Sequence, residues 1–427
     1  MTTEALAPPA ALSPWRSHGL LFLLAMMYAD NFVGRQIVAV MIEPIKQEFG
    51  ASDTSMGLIS GLAFAAVFAV LGLPAGRLAD RLPRIGVVAA SCMLWGVATI
   101  LCGFTGSFLL LVLARMAVAV TEAPAAPAAL SLIADLYPPQ RRAFAISFFT
   151  AAPTFAAIIA LSLGAWMVDV WGWRTSFILV GSPALLIGML VLAFGREPGR
   201  GRWDGAAEHA RPLDLRSPLK ALWAEKAVRY LILAGATAFG MWNATFLVRS
   251  YGLALQHAGL LTGLVGGVSA GLGVMFAGWL SDRTGSRGAH WRLGVPILGH
   301  AVGLLSLATY LFWPADIWME IAGVPVPEAM LWCGLHGFFA VWWLGPSFAL
   351  LTTLTSPHIR ARAIALQTLL STLFGVGFGP LLIGTLSDLL HPLLGSEALR
   401  HALLVGCATS LGAVILLVFC GRHLRRA

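Results

Sequence analysis

The sequence predicts an all-α membrane protein in which twelve transmembrane helices form two pseudo-symmetric six-helix bundles. The first observation is composition: the chain is 58% hydrophobic and 11% charged, with a mean hydropathy of +0.81, whereas about a quarter of the residues of a soluble domain are charged. The second is length, because apolar runs of about 20 residues, enough to cross a bilayer, recur along the chain. The third is an internal repeat that relates its two halves.

The apolar runs give twelve predicted spans. They are residues 18–44, 55–80, 85–106, 108–135, 141–168, 174–195, 228–255, 258–281, 292–313, 328–354, 359–388 and 397–420. The longest polar stretch, 196–227, mixes both charge signs with prolines and is predicted to be a linker between bundles at 18–195 and 228–420. Short tails at 1–17 and 421–427 complete the chain.

The basic residues predict the orientation in the membrane. Of 28 Lys and Arg residues, 22 fall on one side of the predicted spans, and such an excess marks the cytoplasmic side. We therefore expect a multi-pass cell-membrane protein with both termini in the cytoplasm. The net charge of +8 reflects this topology and does not indicate nucleic-acid binding.

Two loop motifs recur in both halves. Gly76–Arg84 reads G-R-L-A-D-R-L-P-R, and Gly278–Arg283 repeats it as G-W-L-S-D-R; Pro139–Ala143 returns in weaker form at Pro357–Ala361. Matching landmarks at matching positions indicate a duplicated unit.

The first of these motifs resembles the signature of the major facilitator superfamily, and the chain is most similar to its spinster-like group. The segments that carry this second resemblance are Asn31–Ile37, Arg115 with Glu122-Ala123, Phe246–Gly252 and Gly379–Gly384. The resemblance implies the major facilitator fold, transport by a monomer, and a cytoplasmic gate between the halves. The gate residues it implies are Gly76, Asp80, Arg81, Arg84, Asp282 and Arg283. Physically, Asp80 would face the N–H groups that open span 11; the alternative is that these residues are topology markers with a weak surface ion pair.

Five charges lie deep in apolar spans, where each costs roughly 2.5–3.5 kcal/mol or more: Asp30, Arg35, Arg115, Glu122 and Arg249. Arg115 and Glu122 are seven residues apart and so share a helical face. The resemblance implies that Glu122 binds a proton with Arg115 as its partner. It also places an acid at the position of Gly34, so Asp30, one turn earlier, is the candidate substitute. The alternative is a permanently ionised structural pair.

Span 7 carries a stripe of larger side chains: Trp242, Asn243, Phe246 and Arg249. Together with Arg35, Arg115 and Phe374 they are candidate substrate-binding residues, the arginines for an anionic group and the aromatics for an apolar one. Arg249 could instead reach the membrane boundary by snorkelling. Candidate hinges are Pro153 in span 5 and Gly375, Gly377, Gly379 and Pro380 in span 11, where small residues permit close helix approach.

These features predict a proton-coupled transporter of an amphiphilic anion, such as a lysophospholipid or sphingolipid, that works by alternating access. The alternative is a small organic acid, which needs the same charges but a cavity closed to the surrounding lipid, and a channel or a receptor without transport activity is a third possibility. The sequence carries no catalytic motif, so we expect no enzyme, and it indicates no cofactor or metal. The expected partners are the substrate, a proton and the bilayer.

Overall fold

The computed structural model describes residues 14–200, 225–234, 240–285, 291, 293–354, 363 and 366–424. In the first half the helices are α1 (Pro14–Gln36), α2 (Val38–Phe49), α3 (Asp53–Gly57), α4 (Ala63–Arg81), α5 (Arg84–Gly103), α6 (Phe108–Glu122), α7 (Ala125–Leu136) and α8 (Pro139–Phe194). A π-helical turn, Leu58–Leu62, joins α3 to α4.

The second half begins with α9 (Lys226–Ala234). It continues through α10 (Asn243–Tyr251), α11 (Leu255–Leu261), α12 (Val268–Gly285), α13 (Gly294–Phe312), β1 (Ile317–Ile321), β2 (Val324–Pro327), α14 (Met330–Ala340), α15 (Leu344–Leu354), α16 (Gly379–Leu394) and α17 (Ala398–Leu424). Thr262–Gly267 and Ser371–Phe378 are π-helical, and Gly240–Trp242 and Gly395–Glu397 are 3₁₀ turns.

Local sequence explains where the helices begin and end. The Ser52 hydroxyl accepts a hydrogen bond from the Ser55 N–H at 3.1 Å and caps α3. Gly50 closes α2 in the left-handed conformation (φ 58°), which favours glycine. Pro124 separates α6 from α7, since a proline lacks the N–H needed inside a helix.

The predicted spans are recovered with breaks inside them. Eight segments of the described residues are long and apolar enough to cross a membrane. Two of these, Phe148–Phe194 and Leu366–Leu424, each contain two predicted spans, so the eight cover ten of the twelve. In the first case Gly172 (φ 76°) interrupts the helix at the predicted boundary. The other two are spans 1 and 7. Span 1 is divided at Ile37 between α1 and α2, and part of span 7, residues 235–239, lies outside the described residues.

The loop expected at 314–327 contains a β-hairpin. Ile317–Ile321 pairs antiparallel with Val324–Pro327. Its two turn residues, Ala322 and Gly323, have φ of 52° and 80°, as a type I′ turn requires. The segment is rich in Ile, Val and Trp, which favour strands, so the sequence contained the signal for this hairpin.

Contacts group the chain into two compact units. The first contains residues 1–35, 70–156 and 174–212, and the second contains residues 36–69, 157–173 and 213–427. The first unit is built on α5 packed against α6, α7 and the last part of α8, with Gly96 and Gly181 at the close approach. The second unit includes segments of both predicted bundles, so contacts and the sequence repeat divide the chain differently.

Candidate functional site

Four of the predicted charges lie within the first unit. Asp30 and Arg35 come from α1, and Arg115 and Glu122 come from α6. We call these four residues the α1–α6 charge cluster. It holds two acids and two bases, so its net charge is zero when all four are ionised.

Arg35 is the ion-pair partner of Glu122. Its Nη2 contacts Glu122 Oε1, and the Glu122 carboxyl is buried. The guanidinium also lies 5.1 Å from the centre of the Phe32 ring, within cation–π range. The expectation that Arg115 pairs with Glu122 is therefore wrong, because Arg35 of α1 places its guanidinium on the Glu122 carboxylate.

Arg115 is held by backbone instead of by a carboxylate. Its Nη1 donates to the Gly34 carbonyl at 3.0 Å, its side chain is 1% exposed, and its Nε has no hydrogen-bond partner. Within the described residues no acid pairs with it. A buried cation without a counterion is strongly disfavoured, so Arg115 is suited to bind an anion.

Asp30 forms no ion pair with Arg35 or Arg115 in the described residues. Trp95 Nε1 donates to Asp30 Oδ2 at 3.4 Å, and no ion pair to Asp30 occurs in the part of the chain that is described. Gly34 is the position at which the spinster-like resemblance places an acid. An added Cβ there would lie 4.0 Å from Val180 Cγ1. The space is thus open, and the acid one turn earlier bonds to an indole.

Aromatic rings lie beside the cluster. Tyr28 stacks on Phe149 with ring centres 4.4 Å apart, and its edge meets Phe32 at 5.3 Å. A charged centre with adjoining rings can accommodate both ends of an amphiphilic molecule.

The fifth charge, Arg249, lies in the second unit and forms a different network. Its Nη1 and Nη2 donate to the two oxygens of Asp53 at 2.7 and 2.8 Å, and its Nε donates to Glu43 at 2.6 Å. Lys46 and Ser387 each donate to Asp53 at 2.6 Å. We call these residues, with Asp388, the Arg249 network. Two carboxylates neutralise the charge of Arg249, so neither a substrate contact nor snorkelling is needed to explain its place in an apolar span.

Asp388 extends this network to a helix start. Its oxygens accept from the N–H groups of Asp53 (2.9 Å) and Thr54 (2.7 Å) and from the Thr54 hydroxyl (2.6 Å). Exposed N–H groups in the first turn of a helix favour an anion. The Arg249 network therefore ties α2 and α3 from the first half to α10 and α16 from the second.

Close glycine contacts accompany the network. An added Cβ would lie 2.4 Å from the Pro380 carbonyl oxygen at Gly57, and 2.6 Å from that of Gly377 at Gly61. Gly377 and Pro380, both predicted hinges, thus pack directly on the segment that joins α3 and α4. Of the other predicted hinges, Gly375 and Gly379 are buried in the same region and Pro153 lies inside α8.

The remaining predicted substrate residues are mostly buried in protein. Trp242 is fully buried and donates to the Pro380 carbonyl at 3.1 Å. Phe246 is fully buried against Tyr251 and Tyr310, and Asn243 accepts from the Tyr310 hydroxyl at 2.7 Å. Phe374 alone of these four is largely exposed, at 47%.

Arg84, a predicted gate residue, is bonded within the first unit. It is buried and donates within the first unit to Asp135, to Glu197 (2.7 Å), to Ser131 (2.9 Å) and to the Pro198 carbonyl (2.9 Å). With its donors occupied it anchors α5 to α7 and to the segment after α8. Arg81 and Arg283 are exposed. The side chains of Gly76, Asp80 and Asp282, and the start of span 11 at residues 355–362, lie outside what the structure describes.

Sequence reasoning missed the acids of the Arg249 network. Glu43, Asp53 and Asp388 lie near predicted span ends, where charged residues are common. Their positions in the sequence therefore did not mark them as candidate site residues. Asp388 had one signal, since it matches Asp169 in the internal repeat. In the described residues no group of His, Cys, Asp and Glu side chains could hold a metal ion.

The sequence profile of the Major Facilitator Superfamily matches residues 22–380. The chain belongs to the major facilitator superfamily. It is accordingly a multi-pass membrane transporter and not an enzyme. The resemblance to the spinster-like group is also confirmed, by relatives in sequence and by a solved structure.

Relatives of this superfamily member match along most of its length. An "MFS-type efflux pump" of Mycolicibacterium smegmatis is 31% identical, covering 93% of each chain. "Protein spinster homolog 1" of Xenopus tropicalis is 25% identical, over 92% of this chain and 78% of that one. The "Probable sulfoacetate transporter SauU" of Cupriavidus necator is 26% identical, over 69% and 72%.

A solved structure confirms the fold. A bacterial homologue of the human lysosomal transporter spinster, in an inward-facing and unoccupied conformation, superposes with a TM-score of 0.85 at 24% identity. The match covers 97% of this chain and 99% of that one.

Proposed function

We propose that the protein is a proton-coupled secondary transporter that moves an amphiphilic, lipid-like anion, such as a lysophospholipid or sphingolipid, by alternating access. Arg115 carries the proposal, because it is a fully buried cation held by the Gly34 carbonyl with no acid paired to it among the described residues. An anionic substrate group would supply the missing charge.

The Arg35–Glu122 pair provides the proton coupling. When a proton neutralises Glu122, Arg35 loses its counterion and can bind an anion beside Arg115. The cluster then gains one positive charge, or two if Asp30 is protonated as well. With both acids protonated, the net charge of the cluster is +2. It would be +3 if Arg249 also belonged to the cluster, but Arg249 lies in a separate network. Proton and anion binding then favour each other, as linkage requires.

The neighbouring rings favour an amphiphilic substrate. Phe32 lies next to Arg35, and Tyr28 meets Phe32 edge to face and stacks on Phe149, so an apolar chain attached to the anionic group would meet aromatic surface. Phe374 is a further candidate because its ring is exposed.

A small organic acid is the second candidate. The relative named as a probable sulfoacetate transporter favours it, since a sulfonate or carboxylate could bind the same arginines without any apolar contact. The two candidates differ in whether the rings beside the cluster contribute to affinity.

The test is uptake into proteoliposomes. A labelled lysophospholipid and, in parallel, an aromatic carboxylate and sulfoacetate are supplied with and without an inward proton gradient. The native protein is compared with Glu122→Gln and with Glu328→Gln, a control that removes an acid at the start of α14. We expect gradient-driven lysophospholipid uptake that is lost in Glu122→Gln and kept in the control. Unchanged pH dependence in Glu122→Gln would refute proton coupling through this residue, and uptake of the small acids alone would select the second candidate.

A further inference from the structure

A cavity outside the charge cluster opens at one end of the first unit. It has a volume of about 340 Å³ and lies between the first turns of α1 and the end of α8. Trp15, Arg16 and Leu23 line one wall, and Phe194 and Arg196 line the other. Gly19 lies between them, and an added Cβ there would meet no atom within 4 Å, so the absent side chain leaves the cavity open.

Among the described residues that line the cavity, two are basic and none is acidic. Both arginines are exposed, and the structure gives neither an ion pair in the residues that it describes. The nearest acid in sequence, Glu197, is already bound, since it accepts from Arg84 Nε at 2.7 Å and from the Ile85 N–H at 3.0 Å. Two guanidinium groups at one cavity suit a phosphate, which they can bind through paired hydrogen bonds.

The same cavity has an apolar side. Trp15 is 87% exposed and Phe194 is 69% exposed, an unusual degree for such large side chains. Phe194 is the last residue of the apolar segment Phe148–Phe194, and Arg196 follows two residues later. Tryptophan and arginine concentrate at this level of membrane proteins, where lipid headgroups lie.

We propose that this cavity binds the headgroup of an anionic phospholipid from the surrounding bilayer. Arg16 and Arg196 contact the phosphate, Trp15 and Phe194 flank the glycerol, and the acyl chains follow the apolar surface past Leu23. The volume suits a headgroup, so the chains stay in the bilayer. This bound lipid is distinct from any transported molecule, and its binding does not depend on the proposed substrate.

The test measures retained lipid on the purified transporter. Native mass spectrometry follows phosphatidylglycerol and phosphatidylcholine with identical acyl chains, added at equal concentration. We expect preferential retention of phosphatidylglycerol by the native protein. The Arg16→Gln/Arg196→Gln variant should retain it about thirtyfold more weakly, since each basic residue at a membrane surface adds roughly a fivefold preference for anionic lipid.

Matched variants separate the site from general charge. Arg141→Gln/Arg422→Gln removes two exposed arginines elsewhere and should leave retention unchanged. Gly19→Leu keeps every charge and fills the cavity, so it should also lose the lipid. Unfolding temperatures in phosphatidylcholine alone check that each variant is folded. Equal loss in the control pair, or full retention in Gly19→Leu, would overturn the proposal. Displacement of the lipid by inorganic phosphate at equal concentration would overturn the assignment to a lipid.

Discussion

At the scale of single residues, burial decides which charges take part in chemistry. Arg84 and Arg115 are both 1% exposed, yet their surroundings differ completely. Arg84 has two carboxylates and several other oxygens within bonding distance, whereas Arg115 has one carbonyl. The first is a satisfied structural group, and the second is the group that we propose binds an anion.

Replacing Arg84 tests its structural role. Arg84→Gln should destabilise the protein by about 3–5 kcal/mol, because it removes the buried guanidinium that pairs with Asp135 and Glu197. Arg81→Gln, at an exposed neighbour, should change stability little. The measurement is thermal unfolding in detergent. A variant with native stability but altered transport would instead support a gate role for Arg84.

Asp53 is the most heavily bonded acid of the Arg249 network. Its side chain is 4% exposed and accepts from Arg249, Lys46 and Ser387. Asp53→Asn should open the network, since two cations lose their shared carboxylate, with a cost of about 3–5 kcal/mol. The reporter is a Ser60→Cys thiol, buried in this structure, and its maleimide labelling should become faster.

Two controls accompany this experiment. Glu43→Gln removes a more exposed acid with one bonded partner and should have a smaller effect. The parent protein supplies the background, since its five cysteines are all buried. An unchanged labelling rate in Asp53→Asn would show that the network does not hold the contact closed.

At the scale of elements, π-helical turns and glycines bring spans 2 and 11 together. Leu58–Leu62 and Ser371–Phe378 are both π-helical, a form frequent at functional sites. Their glycines allow backbone contact, so the helices meet with no intervening side chain. A contact of this kind can form and separate as a rigid surface, which suits a gate.

A single methyl group tests that contact. Gly384→Ala places a Cβ 2.1 Å from the Asp53 carbonyl oxygen, and neither backbone can yield without separating the helices. We expect faster labelling of the Ser60→Cys thiol and slower transport. Gly412→Ala, in α17 where a Cβ meets nothing within 4 Å, should leave both unchanged. Native labelling in Gly384→Ala would argue that the two spans do not form a gate.

At the scale of the whole molecule, alternating access requires conformations that exchange. The Arg249 network and the glycine contacts stabilise the one seen here, and in the proposed mechanism substrate and proton would shift the balance by differential binding. Coupling and transport are therefore separable properties.

That separation can be measured with Glu122→Gln. Exchange of labelled for unlabelled substrate without a proton gradient should persist, because the neutral side chain resembles the protonated state. Gradient-driven accumulation should be lost. Arg35→Gln should lose both activities, since it removes a substrate contact. Loss of exchange in Glu122→Gln as well would identify the pair as structural.

The sequence by itself determined the class of protein, the spans and four members of the charge cluster. Hydropathy and buried charge are properties of consecutive residues, and a membrane makes them decisive because charge there is costly. Tertiary structure alone decided the partners. Glu122 pairs with Arg35 and not Arg115, and Arg249 meets Glu43 and Asp53, acids about 200 positions away. A side chain's partner depends on which helices approach each other and at what depth, and spacing within one helix does not specify that approach.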